Sequence, residues 1–300
     1  MRNKSIMEGF LSEMTEKGYK PIKMIGEGAF GKVFAASSSK NKVVAIKTIR
    51  GSDKYIKREI GIMQKLNHIN CLPLIDYCLS KQDTAGIVMD MYPNTLLTVL
   101  RMFSNKGSRF PLFYIKLFTY QIFAGLDHMH LKGFVHRDIK PENLLVDYST
   151  GSLVIADFGS ARKFKSGSTM ASYVTSRFYR APELINGSTF YGPEIDIWSV
   201  GCVIGEMLRN GIPLFTSDSA PAQLEIISDV INNQTLPEKL IIRVPPDLLD
   251  LLNQVLSLNP KKRPSASKCM NHQFFDELFA KGVTLPNGGS LPKLSRRKND

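Results

Sequence analysis

Five residues carry functional groups suited to handling a phosphate: Lys47, Glu59, Asp138, Asn143 and Asp157. They are set in an ordered series of short motifs. The first motif, Gly26-Glu27-Gly28-Ala29-Phe30-Gly31, is a GxGxxG loop followed by Lys32 and Val33. Such a loop alone also marks dinucleotide folds or a plain glycine-rich turn. A dinucleotide fingerprint needs a helix straight after the glycines, whereas Lys32 to Ala36 reads as a strand, which predicts a hairpin lid over phosphates and excludes a Walker A loop. Next, Lys47 ends Val44-Ala45-Ile46-Lys47, and Glu59 follows on a helix-patterned segment. A strand lysine grips phosphates well when a helix carboxylate holds its ammonium in place. Further on come His136-Arg137-Asp138-Ile139-Lys140-Pro141-Glu142-Asn143, then Asp157-Phe158-Gly159, then Ala181-Pro182-Glu183. Coincidence does not produce such a set in order.

The elements that must hold these residues follow from periodicity. From Tyr19 to Ile49 apolar and polar residues alternate around turn signals at Gly26, Gly28, Gly31 and residues 37–41, predicting a three-stranded antiparallel meander. Ile56, Ile60, Met63 and Leu66 then recur at helical spacing, so the first ninety residues read as β-rich with one helix. After Pro93 the apolar-periodic segments 112–131, 195–208, 248–256 and 269–279 predict a mostly helical half, with the boundary at residues 90–94. No low-complexity linker or internal repeat intervenes.

Bulk properties bound the class without choosing the function. At 300 residues, with 43% hydrophobic and 22% charged residues, the chain suits one bilobal or two modest domains. Its net charge of +12 would suit nucleic acid, an anionic membrane or phosphorylated protein, but no basic patch interleaved with aromatics points to nucleic acid. Cys71, Cys78, Cys202 and Cys269 lack metal-ligand spacing and are expected as thiols. The start lacks a signal-peptide core, and the apolar run 195–208 is broken by Asp196 and Glu206, so a soluble intracellular protein is expected, with neither membrane nor nucleic-acid partner.

The ordered motifs resemble eukaryotic protein kinases over nearly the full length. The resemblance implies an α+β bilobal fold: residues 1–18 an N-terminal extension, 19–91 an antiparallel sheet lobe with one helix, 92–275 a mainly helical lobe, and 276–300 a C-terminal extension. It implies ATP and Mg²⁺ as cofactors. Asp138 would orient the substrate hydroxyl and accept its proton, Asn143 and Asp157 would supply oxygen ligands to the metal, and Lys140 would steady the γ-phosphate. Ile25, Gly26, Glu27, Gly28, Ala29, Phe30, Gly31, Lys32, Val33, Ala45, Lys47, Met89, Asp90, Tyr92, Leu145 and Asp157 would line the nucleotide site. Ile25, Val33, Ala45 and Leu145 would sandwich the adenine, and Met89 would limit its depth. His136 is read as a backbone brace, and Glu183 with Arg263 as a structural ion pair.

Residues 172–183, SYVTSRFYRAPE, are similar to the branch of cyclin-dependent, mitogen-activated and glycogen synthase kinases. Asp157-Phe158-Gly159-Ser160-Ala161-Arg162, the tail HQFFDEL at 272–278 and LPNG at 285–288 most resemble glycogen synthase kinase 3. Ala171 stands where mitogen-activated kinases carry the threonine of TxY. The resemblance implies a serine/threonine kinase, cytoplasmic with a nuclear pool allowed, and Tyr173 as a phosphosite. It also implies protein substrates primed by a phosphate four residues C-terminal, gripped by Arg58, Arg137 and Arg162. Against the family pattern, residues 224–246 are shorter than its scaffold-docking insert, no RxRxxS site occurs near the start, and Glu142, Arg162 and Ala156 replace Gln, Lys and Cys. A cyclin-dependent- or mitogen-activated-like kinase without priming, a pseudokinase scaffold and a nucleic-acid binder are the alternatives.

Overall fold

The computed structural model describes residues 10–28, 31–50, 53–79, 84–165, 167, 169–170, 176–240 and 244–296. The chain divides into two compact units, Met1–Tyr92 and Pro93–Asp300.

The first unit is built on five antiparallel strands: β1 (Tyr19–Gly28), β2 (Gly31–Ser38), β3 (Val43–Arg50), β4 (Leu74–Leu79) and β5 (Thr84–Asp90), in the order β1-β2-β3-β5-β4. Left-handed Asn41 (φ 56°) forms the tight β2–β3 turn, with Asn41 N bonded to Ser38 O at 2.9 Å. Helix α2 (Asp53–Met63) buries Ile56, Ile60 and Met63, the apolar stripe read from the spacing.

A helix absent from the sequence reading, α1 (residues 10–16), precedes the sheet. Phe10 and Met14, one turn apart, pack into a cluster with Ala36, Val44, Ile46, Cys78 and Val88. Gly86 makes room for them, since a Cβ there would lie 2.5 Å from the Phe10 ring. Lys17 Nζ donates to Tyr77 O at 2.9 Å, fastening the end of α1 to β4. Of the segment expected as an extension, residues 10–18 are described, and Phe10 and Met14 of it are buried in this unit's core. Seven described helical residues with two buried side chains are too few for periodicity to single out.

In the second unit, the helices are α3 (Leu96–Asn105), α4 (Leu112–Leu131), α5 (Pro182–Ile185), α6 (Glu194–Leu208), α7 (Ala220–Asn232), α8 (Leu236–Leu240), α9 (Pro246–Val255) and α10 (Ala266–Met270). Short strands β6 (Asn94–Thr95), β8 (Leu144–Asp147) and β9 (Ser152–Ile155) form one sheet, and β7 (Phe134–Val135) pairs β10 (Arg162–Lys163). Helices α4 and α6 are buried on nearly every side, as their all-round apolar sequences require. The expected helix 269–279 is instead split. After α10 the His272 side chain accepts Phe274 N at 3.2 Å and starts a 3₁₀ turn, Gln273–Phe279, that buries Phe274, Phe275 and Leu278. Beyond it Leu285 is buried against Leu117 and Gly151, and Tyr120 donates to Ser295 O at 2.7 Å, so the tail packs on α4.

The whole is an α+β chain, with a five-stranded antiparallel sheet in one unit and a mainly helical second unit.

Candidate active site

Lys47 stands on central β3, opposite Val33 on one side and Ile87 on the other. Its Nζ lies 2.8 Å from Glu59 Oε1, and both side chains are largely buried. Glu59 is brought there by α2, whose apolar stripe fixes the helix rotation. Each charge offsets the desolvation of the other; removing one would strand its partner.

The glycine loop is the β1–β2 hairpin, with Gly26 opposite Val33, Glu27 opposite Lys32 and Gly28 opposite Gly31. Gly31 has φ 146°, and a Cβ there would lie 1.7 Å from Thr48 O, so no other residue fits. Thr48 Oγ1 accepts Lys32 N at 3.0 Å and donates to Lys32 O at 2.9 Å, stapling the hairpin beside Lys47. Ala29 and Phe30 lie outside the described residues. Ile25 is exposed on β1, Ala45 pairs with buried Met89, and Asp90 ends β5 with its side chain on Lys42. Tyr92 closes this unit, and Arg58 stands on α2 within it.

The second unit holds the carboxylate cluster. Asp138 Oδ1 accepts Ser176 Oγ at 2.9 Å and Ser176 N at 3.1 Å, while Oδ2 accepts Asn143 Nδ2 at 3.1 Å and lies 2.9 Å from Lys140 Nζ. Lys140 Nζ also donates to Ser176 Oγ at 2.7 Å. The serine hydroxyl thus gives its proton to a carboxylate, as an attacking alcohol must, while the Lys140 ammonium donates to its oxygen. Ser176 was not singled out in the sequence; only its place five residues before Ala181 could have marked it.

The backbone behind this cluster is held by two groups. His136 is fully buried; its Nδ1 accepts Asp138 N at 3.2 Å, so Nε2 carries the proton and donates to Ala156 O at 3.0 Å. Asp196 accepts His136 N and Arg137 N, each at 2.8 Å, and pairs with His130 Nε2 at 2.9 Å. Burial alone would raise the Asp196 carboxyl, but the hydrogen bond and charge of His130 and the Arg137 N–H hold it below its ordinary value. These bonds stabilise Arg137 in a left-handed conformation (φ 69°). In the sequence Asp196 had registered only as a break in an apolar run.

Glu206, the other break, accepts the Tyr179 hydroxyl at 2.7 Å in the core. Burial raises its carboxyl to about 7; the Tyr179 hydrogen bond opposes this, Glu142 adds to it, and Arg101 and Arg209 oppose it. Glu183 and Arg263 pair at 2.6 and 2.8 Å, and Arg263 also donates to Ser257 O and Glu194 O.

Two of the three arginines proposed for a phosphate pocket meet. Arg137 Nε donates to Ser160 O at 2.8 Å, and Arg162 Nη1 approaches the same oxygen at 3.4 Å besides donating to Ala161 O at 2.8 Å. Arg137 Nη1 also donates to the Tyr191 hydroxyl at 3.0 Å. Tyr173, within residues 171–175, lies outside the described residues.

For a metal, no group of three or more His, Cys, Asp or Glu occurs among the described residues. What is present is a mixed pair. Ala156 N bonds Asn143 O at 2.9 Å, which places Asn143 beside the Ala156–Asp157 segment. The Asn143 amide nitrogen is committed to Asp138, so its carbonyl oxygen is the end suited to a cation; Asp157 has a left-handed backbone (φ 61°). Two hard protein oxygens fit Mg²⁺, which takes its remaining ligands from water and phosphate. Such an ion would neutralise phosphate charge. Leu145, on β8 opposite Val154, is the one expected adenine contact in this unit.

The family profile of the protein kinase domain matches residues 19–275. That span contains the glycine hairpin, the Lys47–Glu59 pair, the Asp138 cluster and the Glu183–Arg263 pair. The chain belongs to the protein kinase family, which implies a kinase that draws on ATP, usually with Mg²⁺, and acts on protein substrates.

Proposed function

We propose that this protein is a serine/threonine kinase of glycogen synthase kinase 3 type, acting on substrates that already carry a phosphate four residues C-terminal to the target. The observation that carries the acceptor class is Ser176: an aliphatic hydroxyl sits 2.9 Å from Asp138 and 2.7 Å from Lys140, so this cluster accommodates a primary alcohol. In the reaction the substrate hydroxyl would take that relation to Asp138, and Lys47, Lys140, Asn143 and Asp157 would serve the nucleotide and metal as the family resemblance implies.

Priming is supported by Arg137 and Arg162, whose guanidinium groups share Ser160 O. Two like charges on one carbonyl repel, and a phosphate between them would relieve this with bidentate bonds. The resemblance adds Arg58 as the third cation. Residues 19–91 and 92–275 would be the two lobes, and the protein would act in the cytoplasm, with a nuclear pool allowed. Paired peptides with serine or phosphoserine at the fourth position test the reading. Priming should raise kcat/KM at least about tenfold, and Arg162→Ala should erase the gain while sparing unprimed peptides. Equal rates on both peptides in wild type would refute priming and leave the kinase assignment standing.

A further inference from the structure

The most exposed of the large apolar side chains among the described residues, Phe190, is next in sequence to a partner of Arg137. Phe190 is 65% exposed and directly precedes Tyr191, whose hydroxyl takes Arg137 Nη1. A lone exposed apolar side chain is ordinary. Phe190 is not alone, because three contacts gather other apolar groups to the same place. Along 162–165 burial alternates, with Arg162 and Phe164 half-buried and Lys163 and Lys165 exposed, so Arg162 and Phe164 share one face of the chain leaving β10. Phe164 N donates to Gly133 O at 2.7 Å, extending the β7–β10 pairing and fixing that face. The Phe164 ring lies against Gly192, where a Cβ would come within 3.0 Å of it. Finally, Met170 N donates to Thr189 O at 2.8 Å, which brings half-buried Met170 to the residue before Phe190.

These contacts bring Phe164, Met170 and Phe190 onto the segments beside Arg162 and beside Tyr191, the partner of the 3%-exposed Arg137. We propose that these three side chains form an apolar shelf bordering the two arginines and that the shelf, through Phe190 above all, selects a bulky apolar residue immediately next to the priming phosphate of the substrate. The proposal rests on the primed-substrate reading and sharpens it to a class: a phosphoserine or phosphothreonine flanked by leucine, methionine or an aromatic residue. A flanking aspartate gains nothing from the shelf.

The test uses phosphoserine-primed peptides with alanine or leucine at either position adjacent to the phosphoserine, together with their unprimed counterparts. In wild type, leucine at one of the two positions should raise kcat/KM about fivefold over alanine, below the factor an enclosed pocket reaches. Phe190→Ser should bring that ratio to about one, and Phe190→Leu, which keeps an apolar surface, should retain most of it. Phe190 is solvent-exposed, so both substitutions leave the core untouched. A leucine-to-alanine ratio of one in wild type, or one unchanged by Phe190→Ser, overturns the shelf while the priming gain on alanine-flanked peptides still stands. No priming gain on those peptides would instead remove the primed-substrate reading and this inference with it.

Discussion

Replacing Glu206 with glutamine should make the protein more stable at pH 8 and far less so at pH 5. The carboxyl is 1% exposed on α6, and burial lifts it from 4.5 to about 7. Because the folded value lies above the unfolded one, the unfolded chain releases this proton first as pH rises. Stability therefore falls between pH 4.5 and about 7 and is level above that. The gap is 7 − 4.5, or about 2.5 units, and at about 1.4 kcal/mol per unit this is a cost of roughly 3 kcal/mol at pH 8. Glutamine cannot ionise, yet its carbonyl still accepts the Tyr179 hydroxyl now bonded at 2.7 Å. Thermal unfolding of wild type and Glu206→Gln, followed by circular dichroism at pH 5 and pH 8, reads this directly. The variant should gain about 6–12 °C over wild type at pH 8, at about 2–4 °C per kcal/mol for a unit of this size. Parallel pH dependence of Tm in the two proteins would refute the reasoning, because no carboxyl other than residue 206 differs between them.

Asp138→Asn should collapse kcat from the roughly 1–100 s⁻¹ usual for kinases while nucleotide binding persists; Ser176→Ala should lower kcat less, and Ser176→Thr should restore it, as steady-state kinetics would report. Tyr173 is expected to carry phosphate in protein made in bacteria and to lose it in Lys47→Ala, which peptide mass spectrometry decides; unmodified wild type would count against self-phosphorylation. Phe10→Ala should destabilise the first unit by about 3–5 kcal/mol through lost burial and a cavity against Gly86, and an unchanged denaturant midpoint would show that α1 contributes nothing to that core.

The kinase family and the α+β division were legible because each rests on local pattern. A GxGxxG loop running into a strand, two helix-length apolar segments at 112–131 and 195–208, and an ordered series of short motifs need no knowledge of what packs against what. The structure puts α4 at 112–131 and α6 at 194–208, within a residue of those readings. Reading failed where a residue's role depended on a partner far along the chain. Phe10 and Met14 look unremarkable until Gly86 opens a space for them. Reading failed also at one local cap: the segment 269–279 had helical periodicity, yet His272 caps a new 3₁₀ turn inside it.

By itself, then, the sequence determined which chemical groups exist and in what order: a strand lysine, a helix glutamate, a carboxylate five residues before an asparagine, and arginines at 137 and 162. Tertiary structure alone decided what those groups face. Asp196 and Glu206 are both carboxylates on α6, and nothing in the sequence separates them. One is held below its usual range by His130 and the His136 and Arg137 backbone, the other raised to about 7 beside a tyrosine. The same holds for Ser176, whose hydroxyl acquires its meaning only from Asp138 and Lys140, 38 and 36 positions away. The physical reason is that a charge or hydroxyl in the interior takes its energy from the dipoles packed around it, and packing joins residues that sequence order keeps apart.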